Sequence, residues 1–443
     1  MGIISPVGQG LNDTIDAIRK GARGINALRL FPTSHSSPLP VGEIDPFSFA
    51  SAVPRTHTLA RVAAEEAMKH AVGAPDAVVL GVTTGGMPFT EELLKRGEVD
   101  AKQFEYHATG SVAESVARQV GCTGPVLTVS TACSSGAVAL KIALEMLRSG
   151  MAKQVLAGGA DALCRLTYYG FHALQLVDEA GARPFDRNRR GMSVGEGSAM
   201  LVLTAAETPP ENAMAELLGA GLSCDAYHPA APHPDGAGAL RAMEETLADA
   251  CISPADIDYI HLHGTGTIDN DCAEAKAIHF LFGELPIPPV SSLKGSIGHS
   301  LGAAGAMGAV CSVLSITQGI IPANTGFREP DPALNLAPVK VPTEAEVTIA
   351  LVNSFGFGGN NAVLAVGRPM RRKDVGTPDY AVRPPSFSVL GSACLTAVGG
   401  AERTIDGMRH GEGLPGLVSP ADIMRPLSER NVRRLKRFPR LAL

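Results

Sequence analysis

The sequence predicts an α/β protein built from two similar halves, and three observations carry that reading. Short β-branched runs alternate with amphipathic or apolar helical patterns through most of the chain. Each half sets a chemically suggestive residue directly after a strand, where open α/β sheets form their sites. The composition, 443 residues with 45% hydrophobic and 19% charged, is that of a globular chain able to bury a large core.

The predicted strands of the first half are "DAVVLGVTT", "PVLTVSTAC", "KQVLAGGADAL" and "SAMLVLTAA"; those of the second are "DIDYIHLHGTGT", "PPVSSLK" and "VTIALVNSFGFGG". Helices such as "TLARVAAEEAMKHAV", "GAVALKIALEMLRSG" and "GALRAMEETLADA" lie between them, each ended by Gly, Pro or a polar turn. The halves are expected to divide near Pro209 and Pro210, giving residues 1–210 and 211–368. Residues 369–385 are basic and proline-containing and read as a linker. Beyond them "TIDGMRHG" echoes "TIDAIRKG" near the start, each after a small strand-like segment carrying "AVGG" or "PVGQ".

Several function classes are set aside by composition. A formal charge of -6 gives no general pull towards nucleic acid. Eight scattered cysteines, without a CxxC pair, indicate neither a disulfide framework nor a metal site and fit a reducing cytoplasmic setting. Met1 is not followed by a basic and then an apolar region, so no secretion signal is read. The uncharged run "LGAAGAMGAVCSVLSITQGIIPA" is long enough to tempt a membrane assignment, but its Gly, Ala and Ser content fits a helix buried between layers of a soluble protein, so no membrane span is expected.

The chemistry centres on Cys133, which the strand "VLTVSTAC" delivers to a Ser/Gly turn that opens a helix. The positive end of that helix would stabilise a thiolate near neutral pH. His263 ends the strand "YIHL" before a glycine turn; His261 shares its face two residues earlier, but no third metal ligand stands at recognisable spacing. "SSLKGSIGHSLGAAGA" adds Lys294 and His299 ahead of a helix whose small residues allow close approach. "NSFGFGGNNA" is a glycine loop carrying apolar bulk. Neither "GFGGNN" nor "HGTGT" matches a phosphate-binding motif.

Taken in order, "TACSSG", "PFDRNRRGMSVGEGSAMLVL", "HGTGT", "KGSIGHSLGAAG" and "NSFGFGGNNA" resemble the β-ketoacyl-acyl-carrier-protein synthases of the thiolase superfamily, in particular the elongating type with a Cys-His-His site. The resemblance implies a thiolase-like fold of two duplicated α/β halves in an αβαβα arrangement. It implies that Cys133 accepts the acyl chain and that His263 and His299 assist malonyl decarboxylation. Lys294 matches a lysine close to the second histidine, and Asp271 and Glu274 match supporting acids. Thr265 and Thr267 match residues that bind the pantetheine arm. Phe357 matches a gating phenylalanine whose N–H, with that of Cys133, forms an oxyanion hole. Met87, Phe89, Phe171 and Leu174 are candidates for the acyl tunnel.

The resemblance also implies no bound cofactor, substrates carried on the phosphopantetheine of acyl-carrier protein, and a homodimer or a heterodimer with a chain-length-factor-like synthase. A non-catalytic chain-length partner normally lacks the nucleophile, which is present here. A degradative thiolase needs a second cysteine that "NSFGFGGNN" lacks. The chain starts inside the family's opening motif, so the first strand is expected to be short or missing, whereas "FSVLGSACLTAVGG" itself resembles that opening strand. Residues 386–443 are therefore read as the start of a second synthase-like unit. The basic tail "RNVRRLKRFPRL", taken alone a solvated helix face, resembles the segment after the opening helix in such synthases.

Overall fold

The computed structural model describes residues 1–34, 37–45, 53–98, 100–206 and 212–369, and further on residues 395–396 and 399–400. The chain divides into two units, Met1–Val375 and Gly376–Leu443. The elements that build the first sheet and its cover are β1 (Gly2–Ser5), β2 (Gly8–Gln9), α1 (Leu11–Lys20), α2 (Arg55–Met68), β3 (Ala77–Gly81), α3 (Met87–Lys95), α4 (Gly110–Val120), β4 (Val126–Val129), α5 (Ser135–Arg148), β5 (Gln154–Asp161), α6 (Arg165–Ala173) and β6 (Gly197–Thr204). Those of the second are β7 (Glu216–Cys224), α7 (Ala237–Ala250), β8 (Tyr259–His261), α8 (Ile268–Phe282), β9 (Val290–Ser291), α9 (Lys294–Ile297), α10 (Ala304–Gln318), β10 (Ile349–Gly356) and β11 (Asn360–Gly367).

The six-stranded sheet runs β2-β1-β6-β5-β3-β4 and the five-stranded sheet runs β9-β8-β10-β11-β7. Leaving out the hairpin strand β2, both sheets use the same order: in each half the first strand lies beside the fifth, then come the fourth, second and third. Parallel pairing joins β3 to β4 and β5, and likewise β8 to β9 and β10. Antiparallel pairing joins β5 to β6 and β6 to β1, and likewise β10 to β11 and β11 to β7. The halves are duplicated, and α5 after β4 corresponds to α10 after β9.

Those two helices form the middle layer, touching each other and both sheets, while α2 and α4 cover one outer face and α7 and α8 the other. The middle layer is tight because its residues are small. A Cβ on Gly308 of α10 would stand 2.8 Å from the His261 ring and 3.0 Å from Val352. The same helix is buried without a break from Gly305 to Ile316. The apolar segment Leu301–Gln318 that could by length cross a membrane is 83% buried inside the fold.

Strand β1 is short but paired, with Ile3 opposite Ala199. Glu66 of α2 fastens it, accepting from the Ile3 N–H at 2.9 Å and from the Leu11 N–H, at the start of α1, at 2.8 Å. The face of α2 that lies on β1 and β6 buries Leu59, Ala60, Ala63 and Ala64 completely. Burial of Leu59 alone contributes about 2 kcal/mol. At the opposite end of the sheet β4 is an edge strand, with Leu127 41% exposed.

The predicted boundary at Pro209 and Pro210, nearly all of the predicted linker and most of residues 386–443 lie outside the described residues. In the second unit Leu395 pairs antiparallel with Gly400 and Thr396 with Gly399. The first hairpin of the chain has the same two-residue connection, with Ile4 opposite Gln9 and Ser5 opposite Gly8.

Candidate active site

Strand β4 hands the chain to a single 3-10 turn, Ala132–Ser134, before α5 begins at Ser135. Ala132 holds a left-handed φ of 53°, which costs about 1–2 kcal/mol. Side chains of the serine-rich turn hold it there: the Thr131 N–H donates to Ser135 Oγ at 2.9 Å, and Ser135 Oγ donates back to the Ala132 carbonyl at 2.6 Å. Cys133 is thereby fixed at the entrance of α5, only 6% exposed.

Burial pushes the Cys133 thiol up to about 11, against the opposing pull of Lys294 and the backbone N–H groups of Phe357 and Cys133 itself. This corrects the expectation of a thiolate near neutral pH. A helix start lowers a thiol pKa, but here the loss of water outweighs it. The backbone N–H groups of Phe357, from the second half, and of Cys133, from the first, both favour the charged sulfur.

Loops at the ends of β8 and β9 bring in the histidines, both 2% exposed, with ring centroids 5.4 Å apart. Desolvation and the nearby Lys294 charge hold both well below the usual histidine range, so they are neutral. The Leu301 N–H donates to His299 Nδ1 at 3.2 Å, which leaves the imidazole proton on Nε2. Lys294 Nζ lies 3.4 Å from His263 Nδ1 and donates to the His263 carbonyl. His263 is thus also set as the Nε2–H tautomer. Lys294, which opens α9, hydrogen-bonds to His263 on the β8 loop, and its charge also reaches His299, the histidine it was expected to stand near.

The acids brace this arrangement from behind. Glu274 accepts from the N–H groups of His263 at 2.7 Å and Gly264 at 2.8 Å, and from Asn353 Nδ2 at 3.0 Å. Asp271 accepts from the Phe185 N–H at 2.7 Å and the Gly266 N–H at 3.2 Å, with Arg189 3.6 Å away. Burial raises the pKa of Glu274 against the hydrogen bonds from Gly264, Asn353 and His263, and burial lowers that of Lys294 against the charge of Glu274.

Thr265 and Thr267 share a hydroxyl hydrogen bond of 2.8 Å on the "HGTGT" turn. The Phe357 ring, half-buried in the loop after β10, meets Phe171 of α6 edge-on at 5.8 Å. Of the other tunnel candidates, Met87 and Phe89 lie on α3, which touches α6, with Phe89 edge-on to Tyr106, and Leu174, directly after α6, is 56% exposed. His261 is turned to a different set of partners, its Nδ1 3.1 Å from the Tyr259 hydroxyl. Among the described residues no group of three or more His, Cys, Asp or Glu could hold a metal ion.

Two residues of this surrounding were not singled out in the sequence. Asn353 stood in plain view within "VNSFGFGG", the strand that leads to Phe357. Asp161, completely buried at the end of β5, carried no local signal, because its partners Thr83, Thr84 and Gly302 are remote in sequence.

Comparison with known proteins agrees with this architecture. The family model for the β-ketoacyl synthase N-terminal domain matches residues 1–208, and that for the C-terminal domain matches residues 214–328. Nodulation protein E of Rhizobium meliloti (strain 1021) is 36% identical over 330 residues, covering 70% of this chain and 82% of that protein. A 3-oxoacyl-[acyl-carrier-protein] synthase 2 of Staphylococcus aureus is 34% identical over 402 residues, covering 82% of this chain and 98% of the other. Among solved structures, the ishigamide ketosynthase/chain length factor matches with a TM-score of 0.76 at 32% identity, over 83% of this chain and 97% of the other. The duplicated sheets, the matched sequence models and these relatives lead to one assignment: the chain belongs to the β-ketoacyl synthase family.

Proposed function

We propose that this protein is a condensing ketosynthase that joins an acyl chain to a malonyl-derived unit, both delivered on the phosphopantetheine arm of acyl-carrier protein. The observation that carries the reading is the pair of imidazoles, His263 and His299, 5.4 Å apart with a donor at each Nδ1, in the same buried region as Cys133. Sequence relatives named 3-oxoacyl-[acyl-carrier-protein] synthase 2, and a solved ketosynthase in complex with its acyl-carrier protein, support it.

In the first step the Cys133 sulfur attacks the acyl thioester. The N–H groups of Cys133 and Phe357 hold the developing oxyanion, the thiol proton passes to the departing pantetheine sulfur, and an acyl-Cys133 thioester remains. In the second, the C–C bond to the malonyl carboxylate breaks and carbon dioxide leaves. The electron pair delocalises onto the thioester oxygen, where His263 and His299 each donate a hydrogen bond from Nε2. In the third, the enolate carbon attacks the acyl-Cys133 carbonyl, the C–S bond breaks to release the Cys133 thiolate, and the thiolate takes a proton from water. Lys294 and Glu274 keep His263 oriented, Asp271 braces the turn that carries Thr265 and Thr267, and those hydroxyls line the approach of the pantetheine arm.

We propose the division at residues 1–210 and 211–368, a reading supported by the first sheet's last strand ending at Thr204 and the second sheet's first strand starting at Glu216. Residues 386–443 are proposed as the start of a second synthase-like unit, supported by the hairpin pairing of Leu395 with Gly400, which repeats that of the first hairpin. The free edge of β4 suits pairing with a second synthase chain, either an identical copy or a chain-length-factor-like partner, in the cytoplasm. The presence of Cys133 favours the catalytic role over that of the chain-length partner itself.

Intact mass spectrometry after incubation with acyl-carrier proteins of graded chain length tests the reading. An acyl adduct is expected on the native chain and not on Cys133→Ala. An adduct persisting in the variant removes Cys133 as the nucleophile.

A further inference from the structure

Asp161 is the most heavily hydrogen-bonded carboxylate near the site that the mechanism above does not use. It accepts from the N–H groups of Thr83 at 3.1 Å, Thr84 at 2.7 Å and Gly302 at 2.7 Å, and from the hydroxyls of both threonines. Burial raises its pKa, and the hydrogen bonds from Thr83, Thr84 and Gly302 oppose that rise by favouring the charged carboxylate. Its bond to Gly302 spans the two halves, from the end of β5 in the first to the turn before α10 in the second.

That turn has an unfavourable backbone. Leu301 holds a φ of 50°, a left-handed conformation that a leucine adopts only when its surroundings impose it. The Leu301 N–H is the donor that fixes His299 Nδ1. The next amide, that of Gly302, is the one Asp161 grips. Gly302 is also wedged between backbones: a Cβ on Gly136 would stand 2.7 Å from its carbonyl oxygen, and a Cβ on Gly302 itself would stand 2.7 Å from Asp161 Oδ2.

We infer that Asp161 is a positioning residue for decarboxylation: by anchoring the Gly302 amide it keeps Leu301 left-handed and so holds His299 as the Nε2–H tautomer that faces the enolate. The inference rests on the reading that His299 donates to the thioester oxygen. Asp161 touches no substrate in this role. It acts two residues away, through the backbone of Leu301, and the nucleophile turn keeps its own serine and threonine hydrogen bonds without it.

The test uses the full chain labelled with 15N-histidine, whose ring shifts distinguish the two neutral tautomers, beside separate assays of malonyl-carrier-protein decarboxylation and acyl transfer to Cys133. In the native chain His299 is expected as Nε2–H. In Asp161→Asn it is expected to populate the Nδ1–H form, with decarboxylation falling about 100-fold, as for a misplaced catalytic group, and acyl transfer changing far less. If Asp161→Asn does not fold, the Asp161→Asn/Leu301→Gly double variant is expected to restore soluble protein with the Nε2–H tautomer, because glycine takes the left-handed turn without a clamp.

An Nδ1–H tautomer in the native chain, equal loss of both reactions in Asp161→Asn, or no recovery in the double variant overturns the inference. Failure of the native chain to form any acyl adduct would instead overturn the ketosynthase reading, and the ring shifts would still report the tautomer.

Discussion

Lys294 Nζ lies 3.4 Å from His263 Nδ1 and also donates to the carbonyl of the same residue, so the buried ammonium is hydrogen-bonded to the first histidine of the pair while its charge reaches the second. One cation thereby orients an imidazole without protonating it. It also opposes the rise in the Cys133 pKa, because its charge reaches the sulfur.

Replacement of Lys294 by methionine is therefore expected to keep the volume and lose the orientation. Release of carbon dioxide from malonyl-carrier protein should fall about 100-fold or more, the usual scale for one lost electrostatic contact in such a site. A rate within a few-fold of the native one removes Lys294 from the machinery.

A thiol pushed up to about 11 is protonated at neutral pH. Its alkylation by iodoacetamide should rise about tenfold per pH unit between pH 7 and 10, following the thiolate fraction. Mass spectrometry of the Cys133 peptide provides the measurement, and a plateau reached by pH 8 would contradict the burial argument.

The edge-on pair of Phe171 and Phe357 ties α6 to the glycine loop at a ring separation of 5.8 Å. Such pairs contribute about 0.5–1.5 kcal/mol beyond their buried area. Phe171→Ala is expected to loosen the loop and widen the space beside Cys133, shifting acyl adduct formation towards longer chains. An unchanged chain-length profile would separate Phe171 from the acyl tunnel.

Four buried histidines bear on the pH dependence of stability. Burial lowers the pKa of His57 to about 4 and of His261 to about 3, and holds those of His263 and His299 well below the usual range. Each is depressed relative to the unfolded chain, so the unfolded state binds more protons below about pH 6.5. Their contribution is complete above that pH and is lost as pH falls towards the folded values. Urea midpoints should thus drop between pH 6.5 and 5, with a limiting slope of about 1.4 kcal/mol per pH unit for each histidine. His261→Asn should make that slope shallower, and a flat profile in the native chain would refute the assignment.

Much of the site was legible in sequence because its residues sit at strand ends beside glycine turns. Cys133, His263, Lys294 and His299 each follow a short β-branched run, and the structure brings all four into one region. Their protonation and orientation were not legible. The thiolate expected from the helix start gave way to desolvation, which depends on how many atoms from both halves exclude water around the sulfur. The partner of Lys294 depended on the direction of a four-residue helix, and the role of Asp161 on an amide 141 residues away.

The sequence by itself determined the alternation of strands and helices and the small-residue helix of the middle layer, because these follow from local periodicity and turn chemistry, and it singled out the candidate reactive groups by their place after strands and in family-like motifs. The tertiary structure decided which imidazole nitrogen carries the proton, which histidine the lysine serves and how far burial raises the thiol. Those properties arise between residues distant in the chain, where the distance between charges and the exclusion of water set the energy.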